Sequence, residues 1–223
     1  KQGQKYLNRF YATPVPTWIY MVNGYQLKKE LFMQPSKATT IIKYSLLSGP
    51  TTPVLLSLEN YVHFRPAEGH TPSLGQAELN NWSVDEAQHR ISNGDFSLGL
   101  SCQTPQQKSH SSEHWQEIQA DTLIENLVYP IELEDQGYDH YDSSLNVQRI
   151  DVELHNGESC YMVGTLESQW PDSERVYQHV TGLRRHLFHS NLFANDLAHS
   201  ALQLVADRQS VNGKTILAGF PWF

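Results

Sequence analysis

The stretch PTWIYMVNGYQLKKELFM, residues 16–33, consists of two extended runs joined at Asn23-Gly24. Asparagine and glycine tolerate positive φ at both central positions of a two-residue turn, so this dipeptide between apolar runs predicts a β-hairpin. In the second run, apolar side chains such as Leu27 and Leu31 alternate with polar ones in a noisy period of two. The stretch therefore indicates that the first half of the chain is antiparallel β structure.

Further strand-like runs follow this hairpin. The runs TTIIKYSLL (39–47) and TPVLLSLENYV (52–62) are rich in β-branched and aliphatic residues, and Ser48-Gly49-Pro50 between them is typical of a turn. Because short links usually join antiparallel neighbours, we expect these two strands to pair. A second hairpin is predicted in IDVELHNGESCYMVGTLES (150–168), with its turn at Asn156-Gly157.

The periodicity changes from strand to helix after residue 170. The run SERVYQHVTGLRRHLF (173–188) places apolar residues at helical spacing, and Asp172-Ser173 provides residues that favour a helix N-terminus. Residues 190–210 repeat this spacing and predict a second helix, which Asn212-Gly213 would end.

These patterns divide the chain into a β domain over residues 1–168 and the beginning of an α domain over residues 169–223. Two helices and a terminal strand are too little to fold as a helical domain alone. The chain ends in Phe220-Pro221-Trp222-Phe223, without a charge among these last residues. We therefore expect this end to be the interrupted start of a larger domain.

Composition and charge exclude several classes of function. The 223 residues carry a formal net charge of −8, which argues against a nucleic-acid partner because phosphate binding needs a basic face. There is no apolar run of membrane-spanning length and no signal peptide, so no membrane partner is expected. Cys102 and Cys160 are the only cysteines, which favours reduced thiols in a cytoplasmic protein.

Several stretches carry a resemblance to a known family. They are the hairpin at 16–33, TTIIKYSLL, LSLENYVHFR (56–65), VYPIELEDQGYDHYDS (128–143) and ADRQSVNGKTILAGFPWF (206–223). Together they resemble the amylo-α-1,6-glucosidase type of glycogen debranching enzyme found in bacteria and archaea. The chain departs from the family pattern at Asp135-Gln136, where the family has arginine, and at Phe220, where it has tyrosine. The Trp-Gly-Arg-Asp stretch that follows in the family is absent.

The resemblance implies a mainly β fold: a large antiparallel β-sandwich, followed by two helices that begin an (α/α)6 barrel. It implies that the sandwich contacts an α-glucan such as glycogen or a maltooligosaccharide, that no cofactor is used, and that the barrel removes α-1,6-linked glucose with inversion. An inverting glycosidase needs two carboxyl groups ~6.5–9.5 Å apart. In the family both lie beyond the terminal motif, so the resemblance implies that this chain carries no catalytic residue and has the catalytic domain as a partner.

Six residues are predicted to contact sugar. Trp82 and Trp115 lie in polar segments, where exposure and stacking on glucose rings are expected. Arg65 and His63 lie at a strand-to-loop transition, and an arginine offers a fork of donors to hydroxyl groups. Trp222 and Phe223 resemble residues that line the approach to the sugar site. Core packing is the alternative for the aromatic residues, and it is favoured for Trp18 and Tyr20.

The segment HSSEH contains the main competing motif. His110, Glu113 and His114 match the H-x-x-E-H pattern of zinc hydrolases, in which a helix places both histidines on one face and the glutamate acts as base. Its flanks lack a helical apolar stripe, so a solvated loop or a short helix start is preferred to a metal site. Two alternatives to a glucan-contacting domain thus remain: a structural brace without sugar affinity, and a zinc hydrolase.

Overall fold

The structure of the chain is a computed structural model, and it describes most of the first 187 residues and two short strands after them. The described residues are 3–12, 14–63, 79–94, 96–104, 110–116, 123–128, 141–187, 205–208 and 213–216. Within them the fold is mainly antiparallel β, as the sequence predicts, with one α-helix. None of the described helices combines the length and apolar character needed to span a membrane.

The strands form two main sheets. Eight strands make the large sheet, in the order β1-β2-β3-β4-β12-β8-β7-β6; the small sheet is built around β11, which pairs with β5, β9 and β10. The bounds of the strands are β1 Leu7–Tyr11, β2 Thr17–Val22, β3 Tyr25–Met33, β4 Thr39–Ser48, β5 Val54–Val62, β6 Trp82–Asp85, β7 Arg90–Asn93, β8 Phe96–Gln103, β9 His110–Trp115, β10 Leu123–Val128, β11 Tyr141–Leu154 and β12 Ser159–Thr165.

The hairpin predicted at residues 16–33 is confirmed. Strands β2 and β3 pair from Thr17 opposite Glu30 to Val22 opposite Tyr25. Asn23 and Gly24 connect them with φ values of 50° and 82°, the left-handed conformation that a two-residue hairpin turn requires. Strand β4 then pairs with β3 as the next antiparallel neighbour.

Two other predicted pairings are wrong. Strands β4 and β5 lie in different sheets, and so do β11 and β12, so the turns at Gly49 and at Asn156-Gly157 are crossovers between sheets. The reason is that β12 has β4 and β8 as neighbours, while β11 is paired along both edges, so neither has a free edge for the other.

The two crossovers lie side by side and bond to each other. Asn156 Nδ2 donates to the carbonyl oxygens of Gly49 and Pro50, both at 3.1 Å, and Gly157 N donates to Leu46 O at 2.7 Å. A Cβ on Gly49 would lie 2.3 Å from the Tyr25 ring, so a glycine is required for this close approach.

The core has two parts, one on each face of the large sheet. Between the sheets lie buried side chains that include Leu100, Ile150 and Met162. On the opposite face, Phe32, Ile41 and other buried residues pack against the helix. Strand β12 is buried on both faces, because Cys160 and Met162 point to one core and Tyr161 and Val163 to the other.

The helix, α1, spans Ser173–Leu187 and covers the large sheet. Asp172 caps it as predicted, since its Oδ1 accepts a hydrogen bond from Arg175 N at 3.1 Å. Val176 and Val180 pack on the sheet.

The second predicted helix is wrong in its last part. Residues Val205–Arg208 form strand β13, which pairs with β14 (Gly213–Ile216) across the predicted stop at Asn212-Gly213. The rest of that prediction, residues 190–204, lies outside the described residues, as does the terminal motif after residue 216. The division into domains at residue 168 stays a prediction.

Candidate functional site

A cleft with a volume of about 630 Å³ opens where strand β6 of the large sheet approaches strand β9 of the small sheet. It contains Trp82 and Trp115, two of the three tryptophans that are predicted from the sequence to contact sugar. Three of its polar residues are amides or carboxylates at the ends of these strands. The described lining residues are Leu79, Asn80, Trp82, Val84, Glu86, Trp115 and Gln116.

Trp82 forms an inner wall of the cleft. Its side chain is 8% exposed and belongs to the core between the sheets, so the expectation that it would be exposed is wrong. Strand β6 is short and pairs with β7, and its first residue points inward although its sequence neighbours are polar. Trp82 therefore offers an edge or a small part of its ring to the cleft.

Trp115 ends strand β9 and is half-buried against the same core. Its ring nitrogen Nε1 is buried and has no hydrogen-bond partner, one of a few such atoms in the described part of the chain. An unsatisfied buried donor costs ~1–3 kcal/mol. The residue thus combines a partly accessible ring with a polar atom that the fold does not satisfy.

Glu113 holds strand β9 against the large sheet. It lies two residues before Trp115, so both side chains point inward from β9. Its Oε1 accepts hydrogen bonds from Ser101 Oγ at 2.9 Å and from Cys102 N at 3.1 Å, and its Oε2 accepts one from Gln148 Nε2 at 3.1 Å. With its side chain only 13% exposed, this carboxylate is a structural clamp that fixes where Trp115 lies.

The clamp extends on both sides through other polar groups. His89 Nδ1 lies 2.6 Å from Glu113 Oε2, and the His89 backbone is left-handed with a φ of 54°. On the other side, fully buried Gln148 accepts a hydrogen bond from Asn60 Nδ2 at 2.8 Å. A satisfied polar network of this kind specifies one alignment of the two sheets.

The structure does not support a zinc site at HSSEH. These residues form a strand, in which His110 and His114 lie ~13 Å apart along the chain, whereas one zinc ion needs its ligand nitrogens ~2.1 Å away. The His114 side chain is 61% exposed, and its Nε2 lies 3.9 Å from the Asp151 carboxylate. Across the described residues, no group of three or more His, Cys, Asp or Glu side chains could hold a metal ion.

The remaining predicted contact residues do not join the cleft. His63 directly follows β5, is half-buried and is not among the described lining residues. Arg65, Trp222 and Phe223 lie outside the described residues. The sequence analysis missed Asn80, Glu86 and Gln116, since isolated polar residues in polar segments carry no pattern that distinguishes a cleft wall from ordinary surface.

Comparison with protein families identifies the family of this chain. The family model described as "Glycogen debranching enzyme N terminal" matches residues 1–161, which include the small sheet, the cleft and all of the large sheet except the last four residues of β12. No curated protein matches the chain.

Proposed function

The chain belongs to the glycogen debranching enzyme N-terminal family, and we propose that it supplies the glucan-contacting β-sandwich of an enzyme that hydrolyses α-1,6-glucosidic branch points with inversion. The substrates of that enzyme are glycogen and limit dextrin. The observation that carries glucan contact is the convergence of Trp82 and Trp115 on one cleft with a polar rim.

The chemistry of the cleft suits a neutral sugar chain. A pyranose ring has apolar faces and a rim of hydroxyl groups, so it is bound by aromatic surface together with donors and acceptors placed at its edge. Trp115 provides the surface, while Asn80 and Gln116 provide amide donors and acceptors and Glu86 provides an acceptor. Asn80 and Glu86 are exposed, which suits contacts made at the mouth of the cleft.

The catalytic acid and base come, in this proposal, from the barrel that follows the sandwich. Inversion needs two carboxyl groups ~6.5–9.5 Å apart, with room for a water between one of them and the sugar. Glu113 does not fit this role, because both of its oxygens accept hydrogen bonds within the fold. We place the domain division at residue 168, with α1 as the first linker helix, and the two free thiols suit a cytoplasmic enzyme.

Isothermal titration of the purified chain with maltohexaose tests this proposal. We expect weak binding, and binding at the cleft should be lost or reduced about tenfold in Trp115→Ala, because the stacking surface is removed. The matched control is Met33→Ala, which removes an exposed apolar side chain from a strand five positions away from β6, ~24 Å across the sheet. Equal binding by Trp115→Ala and the parent chain would contradict the role of the cleft.

The same titration distinguishes the glucan-contacting domain from the alternative, a structural brace without sugar affinity. No heat up to millimolar maltohexaose would favour the brace, whose support in the fold is the burial of strand β12 on both faces. Incubation of the chain with a branched limit dextrin supplies the second readout. Release of glucose above background would overturn the assignment of the carboxyl pair to another part of the enzyme.

A further inference from the structure

The large sheet extends beyond the small sheet on the side of strands β1 to β3. Within the described residues, the core between the sheets contains buried residues from β4, β12, β8, β7 and β6, but none from β1, β2 or β3. On this part, beside aliphatic residues such as Leu27 and Leu31, the face toward the small sheet carries a group of aromatic and cationic side chains. We call them the aromatic shelf: Phe10, Trp18, Tyr20, Lys29 and Tyr44.

Strand register places the shelf residues on one face. Phe10 is opposite Trp18, Trp18 is opposite Lys29, and Lys29 is opposite Tyr44, so four of them form a row across β1, β2, β3 and β4. Such a row is ~14 Å long at the usual strand spacing. Core packing was the favoured interpretation of Trp18 and Tyr20, but both are half-buried and belong to neither core.

Contacts within the row hold its rings in place. The ring centroids of Phe10 and Trp18 lie 5.3 Å apart with the planes tilted by 48°, and Lys29 Nζ lies 5.5 Å from the Trp18 ring centroid. These are favourable aromatic and cation–π distances. Phe10 is nevertheless 53% exposed, which leaves a fixed and accessible aromatic surface.

A groove adjoins the shelf along strand β5, which among the described strands pairs with β11 alone. It has a volume of about 560 Å³, and Lys29 and Tyr44 of the shelf contribute to its floor. Its wall includes Tyr61, whose hydroxyl donates to Glu59 Oε2 at 2.6 Å. The groove therefore presents one cation, one carboxylate and hydroxyl groups beside the aromatic row.

We propose that the aromatic shelf and its groove form a second glucan-binding site, which takes a linear stretch of α-glucan chain. The positive charge of Lys29 is nearly balanced by the negative charge of Glu59, which suits a neutral ligand. The length of the row suits several sugar units. The identity of the ligand rests on the proposed function. The site itself is separate from the cleft, since β4 and β6 are four strand positions apart, ~19 Å.

The test compares two tryptophan variants by isothermal titration with maltohexaose. The parent chain is expected to bind two ligands, and Trp18→Ala to lose one of them while Trp115→Ala keeps the shelf site. Phe10→Ala is the second shelf variant, because an exposed edge residue can be removed with little effect on folding. It should weaken the shelf site about threefold or more. Circular dichroism confirms that each variant is folded.

The outcomes separate this inference from the proposed function. Unchanged binding in both Trp18→Ala and Phe10→Ala, with loss in Trp115→Ala, overturns the shelf and leaves the cleft. Loss in the shelf variants alone supports the shelf and contradicts the cleft. No binding by the parent chain overturns both. A shelf that instead pairs copies of the chain would show as a dimer on size exclusion that Trp18→Ala abolishes without changing sugar binding, and this result also overturns the inference.

Discussion

The two faces of the large sheet are buried in different ways. The face toward the small sheet is packed mainly with aliphatic and sulfur-containing side chains, together with Trp82, and polar groups on it form the Glu113 clamp. The face toward α1 has a smaller apolar core, in which aromatic rings lie among charges. There Lys43 Nζ lies 3.8 Å from the Tyr177 ring centroid and 4.9 Å from that of Tyr161.

The charged groups of the helix face bond to its rings. Tyr177 Oη donates to Glu30 Oε1 at 2.9 Å, and Tyr161 Oη donates to Glu174 of the helix. Hydrophobic burial is proportional to apolar area, whereas each hydrogen bond contributes only ~1 kcal/mol net. The difference teaches that sheet-on-sheet packing determines global stability, while the bonds of the helix face determine where α1 sits.

The largest expected effect is on the face between the sheets. Ile150→Ala removes a fully buried side chain from β11 and should lower the free energy of unfolding by ~2–5 kcal/mol, through lost burial and a cavity. Urea denaturation measures it. Leu55→Ala is the control, since Leu55 is 64% exposed and should change stability by under ~0.5 kcal/mol. Equal effects of the two substitutions would contradict the assignment of the main core.

The next largest effect concerns the Glu113 clamp. Glu113→Ala removes the acceptor of Ser101 Oγ and Cys102 N and leaves Gln148 Nε2 with only Leu100 O at 3.4 Å, which should cost about 3 kcal/mol. Glu113→Gln keeps one acceptor oxygen and should cost less. Urea denaturation followed by tryptophan fluorescence reports stability and the environment of Trp115 together. A Glu113→Ala chain as stable as the parent would show that the clamp does not contribute.

A smaller effect is expected on the helix face. Tyr177→Phe removes the hydroxyl that bonds Glu30 and should cost ~1 kcal/mol. Because this bond holds the helix rather than the sandwich, hydrogen exchange should accelerate in α1 and remain unchanged in β11. Gln178→Ala, on the exposed side of the helix pair Glu174 and Gln178, is the control. Equal acceleration in both elements would show that helix and sandwich unfold as one unit.

The smallest effect appears only in alkali. Burial, followed by the nearby Cys160, Tyr20 and Cys102, raises the pKa of Tyr44 from 10.0 to about 12. A phenol whose pKa is higher in the folded state contributes stability that is complete below pH 10 and is lost as the pH rises to 12. Tyr44→Phe should therefore make the loss of stability between pH 10 and pH 12 shallower, with no change in pH dependence near neutrality.

Denaturation at several pH values checks this expectation. Lys43 acts in the opposite direction, since burial lowers its pKa and the unfolded chain then binds the extra proton. Comparing Tyr44→Phe with the parent chain cancels the contribution of Lys43. An identical alkaline slope in both chains would contradict the raised pKa.

Local turn chemistry explains which parts of the fold could be predicted. Asn23-Gly24 requires positive φ at both positions, and this requirement alone joins β2 to β3. Asn156-Gly157 has the same letters, yet Gly157 turns the chain from one sheet to the other. A turn sequence of this kind predicts only that the chain reverses direction. Which strand it meets depends on free sheet edges, and distant parts of the chain decide those.

The site was harder to predict for a related reason. The structure brings Trp82 and Trp115 to one cleft, but the polar neighbours of Trp82 suggested an exposure that its inward position on β6 does not allow. The sequence of strand β9 lacks the alternation of polar and apolar residues that predicts a strand. Its inward residues include the charged Glu113 as well as Trp115, and the others are serine and histidine. Only the folded arrangement shows that a glutamate there has four polar partners.

The neighbouring crossovers at Gly49 and Asn156 have a mechanical consequence. Because these two short links are hydrogen-bonded to each other, they join the two sheets firmly at one end of the sandwich, where Val54 lies opposite Leu154. At the opposite end, around Leu145 and Val147, the sheets are held by the Glu113 clamp, whose partner Gln148 is the next residue after Val147. Gln116, which bonds Val147 and lines the cleft, lies at that opposite end, so loss of the clamp would let the sheets separate at the cleft while the links keep them joined at the other end.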